Sequence, residues 1–158
     1  MEFALVLPIL LLIAVGILDF GAAFALRAKL TNAVREGARI AVSSSLTDAN
    51  CQSATPCSIV ASADAVVKYL ANAGVTVSCI SPASPTSTAT LTWTYSCSNG
   101  TSLVINRGVT YAATGAGTIS ATRVTLAYPL QLELAQFLPN LQSVTAMSTQ
   151  VTMQNLTN

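Results

Sequence analysis

The chain has 158 residues, 52% of them hydrophobic and only 8% charged, which suits one small domain plus a hydrophobic segment and excludes two large domains. Seven basic and six acidic residues leave a net charge of +1 without a basic run, so we expect no nucleic-acid partner. Histidine is absent and the carboxylates are scattered, without a Ser/His/Asp set or a metal cluster, so we expect no enzyme activity and no cofactor.

The first predicted element is a long N-terminal helix. Residues 3–18 read FALVLPILLLIAVGIL without a charge, and after Asp19 the apolar pattern resumes through Leu26. This run is long enough to cross a bilayer, which takes about 20 apolar residues. A cleaved signal peptide fits poorly, because no basic segment precedes the run and no small-residue cleavage site follows it.

The apolar pattern then narrows to one stripe of the same helix. Side chains recur there at helical spacing: Leu26, Leu30, Ala33, Val34, Gly37 and Ala41. We therefore predict one helix from about residue 3 to residue 43. Its first half is hydrophobic all round, whereas its second half is amphipathic and docks on a globular head.

The basic residues of this helix conflict with the cysteines over membrane topology. Arg27, Lys29, Arg35 and Arg39 all follow the apolar run, so the positive-inside rule would place the C-terminal part in the cytoplasm. An even number of cysteines in a small domain instead favours an oxidising compartment. The conflict disappears if a basic leader, removed from the mature chain, set the orientation.

Two acids lie in the apolar half, where a carboxylate costs at least a few kcal/mol. We expect Glu2 to neutralise the N-terminal amine of a neighbouring copy, and Asp19 to pair with Arg27 or Lys29 of an adjacent copy. The alternatives are that Glu2 lies in the headgroup region and that Asp19 snorkels or is neutral. Two glycines permit close helix approach or a local break, namely Gly16 and Gly21.

The segment EFALVLPILLLIAVGILDFGAAFALRAKLTNAVREGAR, residues 2–39, resembles the TadE-like family of pilin-like proteins, in the tight-adherence branch of the type IV pilus systems. The combination of EFALVLP, DFG and LTNAVREGAR carries the resemblance. Near the end, VTLAYPLQLEL and SVTAMSTQVTM are similar to the family's closing strands, whereas residues 45–120 match only in layout. Type IV pilins usually carry their glutamate at the fifth mature position, so Glu2 implies a different mature start or different processing.

The resemblance implies a precursor that is cut by a prepilin peptidase and crosses the bacterial cytoplasmic membrane once, before it joins an extracellular pilus. Its partners would be other copies in a helical filament, other pilins and the inner-membrane assembly machinery. Within this class, the alternative to a filament subunit is a membrane-anchored minor pilin or an assembly adaptor. A second alternative is an exported, anchored binding domain, whose stacking surface would consist of Trp93, Tyr95, Tyr111 and Tyr128.

The predicted head comprises residues 44–158, separate from the helix of residues 1–43. After a loop, SIVASADAVVKYLANAG places apolar residues on one helical face that should pack on the sheet, and Gly74 fits the helix C-cap. The four cysteines allow three disulfide pairings, of which we prefer Cys51–Cys57 and Cys79–Cys97. Zinc binding or free thiols are the alternative, but neither pair has Cys-x-x-Cys spacing.

Strand signals fill the rest of the head in five segments: VTVSCI from Val75, LTWTYSCS from Leu91, SLVIN from Ser102, ATRVTLAYPL from Ala121 and SVTAMSTQVTM from Ser143. Asn99-Gly100 predicts a type I′ hairpin that would set Tyr95 opposite Val104. TGAGT from Thr114 is a further turn, and LQLELAQFLPNLQ, residues 130–142, is either core or an intersubunit patch. The expected fold is α+β: a long hydrophobic helix packed on a head with a second helix and an antiparallel sheet of four to five strands.

Overall fold

The computed structural model describes residues 2–43, 55–113, 117–130 and 145–155. Over these ranges it confirms an α+β fold, in which an antiparallel sheet has the strand order β1-β2-β3-β4-β5. In chain order the elements are α1 (Glu2–Ser43), α2 (Cys57–Asn72), β1 (Ser87–Ala89), β2 (Thr92–Ser96), β3 (Ser102–Ala113), β4 (Gly117–Leu130) and β5 (Thr145–Gln154).

The helix α1 has two halves with different surroundings. Its first half is exposed, with Phe3 88% and Phe24 70% accessible, whereas from Leu30 onward one face is fully buried. The buried face consists of Leu30, Ala33, Val34, Gly37, Ala38 and Ala41. The predicted change from an all-round apolar helix to an amphipathic one is therefore confirmed, and it occurs where the helix reaches the head.

The two helices pack closely because both present small residues at their contact. The Ser62 hydroxyl donates to the Gly37 carbonyl at 2.7 Å, and a Cβ atom added at Gly37 would overlap the Val66 side chain. The second helix was expected on the sheet, but it lies mainly against α1, and α1 packs against β4 and β5. The predicted apolar face of α2 is buried in this arrangement, at Ile59, Ala63, Val66 and Leu70.

The C-terminus of α2 confirms the predicted glycine cap. Gly74 has a φ of +77°, its N–H donates to the Ala71 carbonyl at 3.0 Å, and the Val75 N–H donates to the Leu70 carbonyl at 2.8 Å. This pair of bonds is a Schellman motif, which favours glycine because other residues rarely adopt a left-handed backbone. The motif turns the chain back toward the core.

The segment that follows is not a strand, so the strand predicted from Val75 is wrong. Val75, Val77 and Ile80 are buried, which explains the alternating pattern. However, the Val75 N–H is held by the helix end, and the Ile80 N–H donates to the Val77 carbonyl at 3.2 Å in a turn. Backbone groups that a strand would offer to a neighbour are used locally instead.

The hairpin between β2 and β3 also differs in type from the prediction. Gly100 has a φ of +87°, but Asn99 does not have a positive φ, which a type I′ turn requires. The loop is instead closed by the Cys97 N–H donating to the Thr101 carbonyl at 2.9 Å. Three residues, 98–100, therefore lie inside this closing hydrogen bond rather than two, and the register shifts by one residue.

The shifted register places Tyr95 opposite Leu103 rather than opposite Val104. Tyr95 and Leu103 are both buried, whereas Val104 is only partly buried, so the observed pairing keeps the large residues on the inner face. A slip of one residue would reverse the two faces. Of the other predicted connections, residues 131–142 and 114–116 lie outside the described residues.

Candidate assembly surface

The exposed half of α1 carries a continuous apolar surface. Its accessible large side chains are Phe3, Val6, Leu7, Ile9, Leu10, Leu11, Leu12, Ile13, Ile17, Leu18, Phe20 and Phe24. By length and composition, Val6–Ser43 is long and apolar enough to cross a membrane. Residues 3–26 extend about 36 Å at 1.5 Å per residue, close to the bilayer hydrocarbon of about 30 Å. A surface of this kind requires cover by lipid or protein.

The charges of α1 lie at defined levels along this surface. Glu2 is the first residue of the helix, and Asp19 lies within the apolar half with intermediate exposure. Arg27 and Lys29 are exposed immediately before Leu30, the first fully buried residue of the docked half. The cations therefore lie at the junction between the exposed half of α1 and the head, and the two acids lie nearer the N-terminus of the helix.

Gly16 and Gly21 both lie in the exposed half of α1. A Cβ atom added at either position would meet no other atom within 4 Å. Neither glycine is therefore needed for packing within the single chain, in contrast to Gly37. Open space beside a helix glycine is what close approach of a second helix requires.

The cysteines of the head are in the oxidised state over the described residues. Cys79 and Cys97 form a disulfide with a Cα–Cα distance of 5.8 Å, which joins the loop after α2 to the end of β2. Cys57, the first residue of α2, is also disulfide-bonded. Cys51 lies outside the described residues, so the pairing of Cys51 with Cys57 stays a prediction. The described residues contain no group of three potential metal ligands.

The four aromatic residues considered for a binding surface do not share one face. Trp93 and Tyr95 are buried, and the Tyr95 hydroxyl donates to the Pro82 carbonyl at 2.8 Å. Burial raises the pKa of Tyr95 to about 12. Tyr128 packs partly against the core, whereas Tyr111 is 45% exposed. The stacking surface of an exported binding domain is therefore not formed.

Tyr111 belongs to a small polar cluster on the solvent face of the sheet. Arg123 donates through Nη2 to the Tyr111 hydroxyl at 3.0 Å and through Nε to the Thr152 hydroxyl at 3.4 Å. The hydrogen bond from Arg123 stabilises the phenolate and lowers the pKa of Tyr111. The cluster links β3, β4 and β5 across their exposed side.

A buried polar network around Arg107 was not predicted from the sequence. This residue is 2% exposed, and its Nη1 donates to the Ser58 hydroxyl of α2 at 2.6 Å. The Asn155 amide donates to the Arg107 carbonyl at 3.4 Å and accepts from the Thr122 hydroxyl at 2.6 Å. Arg107 continues the inward alternation of Leu103 and Ile105 along β3, and the register against β4 shifts beside it, between Asn106 and Val109. The signal that could have found it is the alternate spacing of Leu103, Ile105 and Arg107, which places all three on one face of a strand.

In this fold one N-terminal helix serves two purposes, because its second half packs in the head and its first half presents a separate exposed apolar surface. Residues 1–39 match the family model described as TadE-like protein, which confirms the resemblance stated from the sequence. The match associates the N-terminal helix with a family of Tad pilus-related proteins. The match covers the exposed half and most of the docked half of α1. No curated protein and no solved structure shows a significant match.

Proposed function

We propose that this chain is a structural subunit of a Tad-type pilus filament. The observation that carries the proposal is the exposed apolar half of α1, continuous with a second half that the head holds in place. In the cytoplasmic membrane, lipid covers the exposed half. In the extracellular filament, the corresponding halves of neighbouring copies cover one another.

Assembly of this kind depends on helix packing more than on the hydrophobic effect. Lipid tails are as apolar as leucine, so moving a helix from lipid to protein gains mainly close van der Waals contacts and polar pairing. Gly16 and Gly21 supply the room for close contact. Glu2 is a polar assembly residue in this proposal, because its carboxylate in an apolar surrounding requires a neighbouring cation.

The partners in this proposal are further copies of the chain, other pilins, a prepilin peptidase and the inner-membrane assembly machinery. The peptidase and the machinery act before the filament forms, while α1 spans the membrane. The docked half of α1 and the head then leave the membrane surface as one unit, because Leu30, Val34 and Ala41 hold the helix within the head core.

The composition of purified filaments tests the proposal. Filaments sheared from cells are examined by electron microscopy, and each pilin is quantified by mass spectrometry. A structural subunit forms a large molar share of the filament protein. If the chain is a trace component, the filament-body role is wrong, and a minor pilin or assembly adaptor replaces it.

A further inference from the structure

Asp19 is separated along α1 from the other charged residues of the helix. It is the only charged residue between positions 3 and 26, and the first cation that follows is Arg27, eight residues later. Eight residues extend about 12 Å along a helix, whereas ion pairs on one helix form between residues three or four apart. Asp19 and Arg27 can meet directly only across two helices.

The surface around Asp19 is shaped for a second helix. Val15, Gly16, Ala22 and Ala23 lie within one turn of Asp19 along the helix, and all have small or short side chains. A Cβ atom at Gly16 would meet nothing within 4 Å, so the space beside this face is open in the single chain. Small residues let helix axes approach to about 8–10 Å, within reach of an arginine side chain.

The position of the cations adds charge complementarity. Arg27 and Lys29 are exposed just before the docked half of α1 begins at Leu30. A parallel neighbouring helix passes beside them if that neighbour is shifted along the helix axis. Without a shift, parallel copies would place their Asp19 carboxylates at the same level, where like charges repel. A shift by eight residues replaces that repulsion with attraction.

We propose that Asp19 of one copy pairs with Arg27 of an adjacent parallel copy, which is displaced by eight residues, about 12 Å, along the helix axis. The pair is a register device that rests on the proposed filament function. Arg27 is assigned rather than Lys29 because a planar guanidinium binds a carboxylate through two hydrogen bonds. Lys29 requires a ten-residue shift. Arg27 and Lys29 project to opposite sides of Asp19, each about 80° away around the helix, so a neighbour in contact with one does not contact the other.

Cysteine cross-linking measures this displacement while Asp19 and Arg27 stay intact. Two differently tagged copies are co-expressed, one with Val15→Cys and the other with Ala23→Cys; each reporter lies four residues before its member of the proposed pair. A disulfide needs Cα atoms within about 7 Å, so the link reports adjacent residues. A disulfide between two copies that both carry Val15→Cys reports zero displacement. A disulfide between one copy with Val15→Cys and another with Ala25→Cys reports the ten-residue displacement to Lys29.

The expected result is a heterodimer from the Val15→Cys and Ala23→Cys pair that exceeds both comparison dimers. Adding Asp19→Asn or Arg27→Gln should reduce it strongly, whereas Arg35→Gln, an exposed cation on the docked half, should leave it unchanged. A dominant dimer from Val15→Cys alone, a dominant link to Ala25→Cys, or no link at all overturns the inference. So does a link that is insensitive to Asp19→Asn.

Filament and membrane fractions are cross-linked separately, which distinguishes this inference from the proposed function. If filaments contain the chain but show another displacement, only the register inference fails. If filaments lack the chain, the proposed function fails, and the membrane fraction still reports whether copies pair at eight residues. Variants that do not insert are recognised by their absence from the membrane fraction, and the map with intact Asp19 and Arg27 remains decisive.

Discussion

Gly37 is the position at which the packing of the two helices is most sensitive to one added carbon. In Gly37→Ala the new methyl group overlaps the Val66 side chain, and it lies 3.3 Å from the Ser62 carbonyl oxygen, which belongs to the backbone and cannot rotate away. Val66 is fully buried, so it has little room to move. The helices must separate, which also weakens the hydrogen bond from the Ser62 hydroxyl to the Gly37 carbonyl.

Two effects of opposite sign determine the size of the change. Overpacking a core costs about 1–3 kcal/mol, and a weakened buried hydrogen bond adds to that cost. Replacing glycine by alanine within a helix gains up to about 1 kcal/mol. The net expectation for Gly37→Ala is a loss of about 1–2 kcal/mol, which lowers the melting temperature by about 2–8 °C in a chain of this size.

Thermal unfolding of the purified full-length chain in detergent, followed by circular dichroism, measures this change. Gly16→Ala is the matched control, because its methyl group meets nothing and only the helix gain remains. Shortening the obstructing side chain in Gly37→Ala/Val66→Ala should make the two substitutions non-additive, with part of the loss recovered. A melting temperature for Gly37→Ala equal to or above that of Gly16→Ala would refute the described packing of α1 on α2.

Three further outcomes are expected. Glu2→Ala should lower filament yield more than membrane insertion, whereas Glu36→Ala, at a partly exposed acid of the docked half, should lower neither; normal filaments from Glu2→Ala would remove its proposed role. Replacing Cys79 and Cys97 by serine should cost about 3 kcal/mol in denaturant unfolding, because the bridge closes a loop across a sequence separation of 18; an unchanged midpoint would contradict this. Tyr95, whose pKa is raised to about 12, should stay protonated when the unfolded chain ionises near pH 10, so stability is complete below pH 10 and falls between about pH 10 and 12. Tyr95→Phe should flatten that part of the pH–stability curve, and an identical curve would show that another group causes the fall.

The helices could be predicted from the sequence because their signals are long and local. The apolar run before Leu26 and the stripe from Leu30 to Ala41 specify both halves of α1, and Gly74 specifies the end of α2. The strand predicted at residues 75–80 failed because alternation reports burial, not hydrogen bonding. A segment with buried valines satisfies the same pattern when it forms a turn.

The sheet details depended on features that a linear pattern does not encode. Asn99-Gly100 identified the hairpin, but the number of loop residues decided that Tyr95 faces Leu103. The predicted strand from Ser102 ended at Asn106, whereas β3 continues past it, so that Arg107 lies on the inner face and reaches Ser58. These outcomes arise from competition among tertiary contacts.

For the candidate assembly surface, the sequence predicted the apolar segment but not the contacts that its charged residues make. The exposed apolar half of α1 follows from composition, because a run without polar faces has no stripe to dock. The roles of Glu2, Asp19 and Arg27 concern a second copy of the chain, so a single chain supplies their positions but not their contacts. The axial level of each charge and the open space at Gly16 and Gly21 are the structural contribution to those proposals.

The location of α1 within a filament tests the central claim most directly. An image reconstruction of purified filaments, at a resolution that separates helices, should place residues 3–26 at the filament centre, in contact with the same segment of neighbouring copies. The heads should lie outside, with each α1 running into its head at Leu30. Filaments whose centre is formed by another protein, with this chain absent or with its exposed half of α1 facing solvent, would contradict the account.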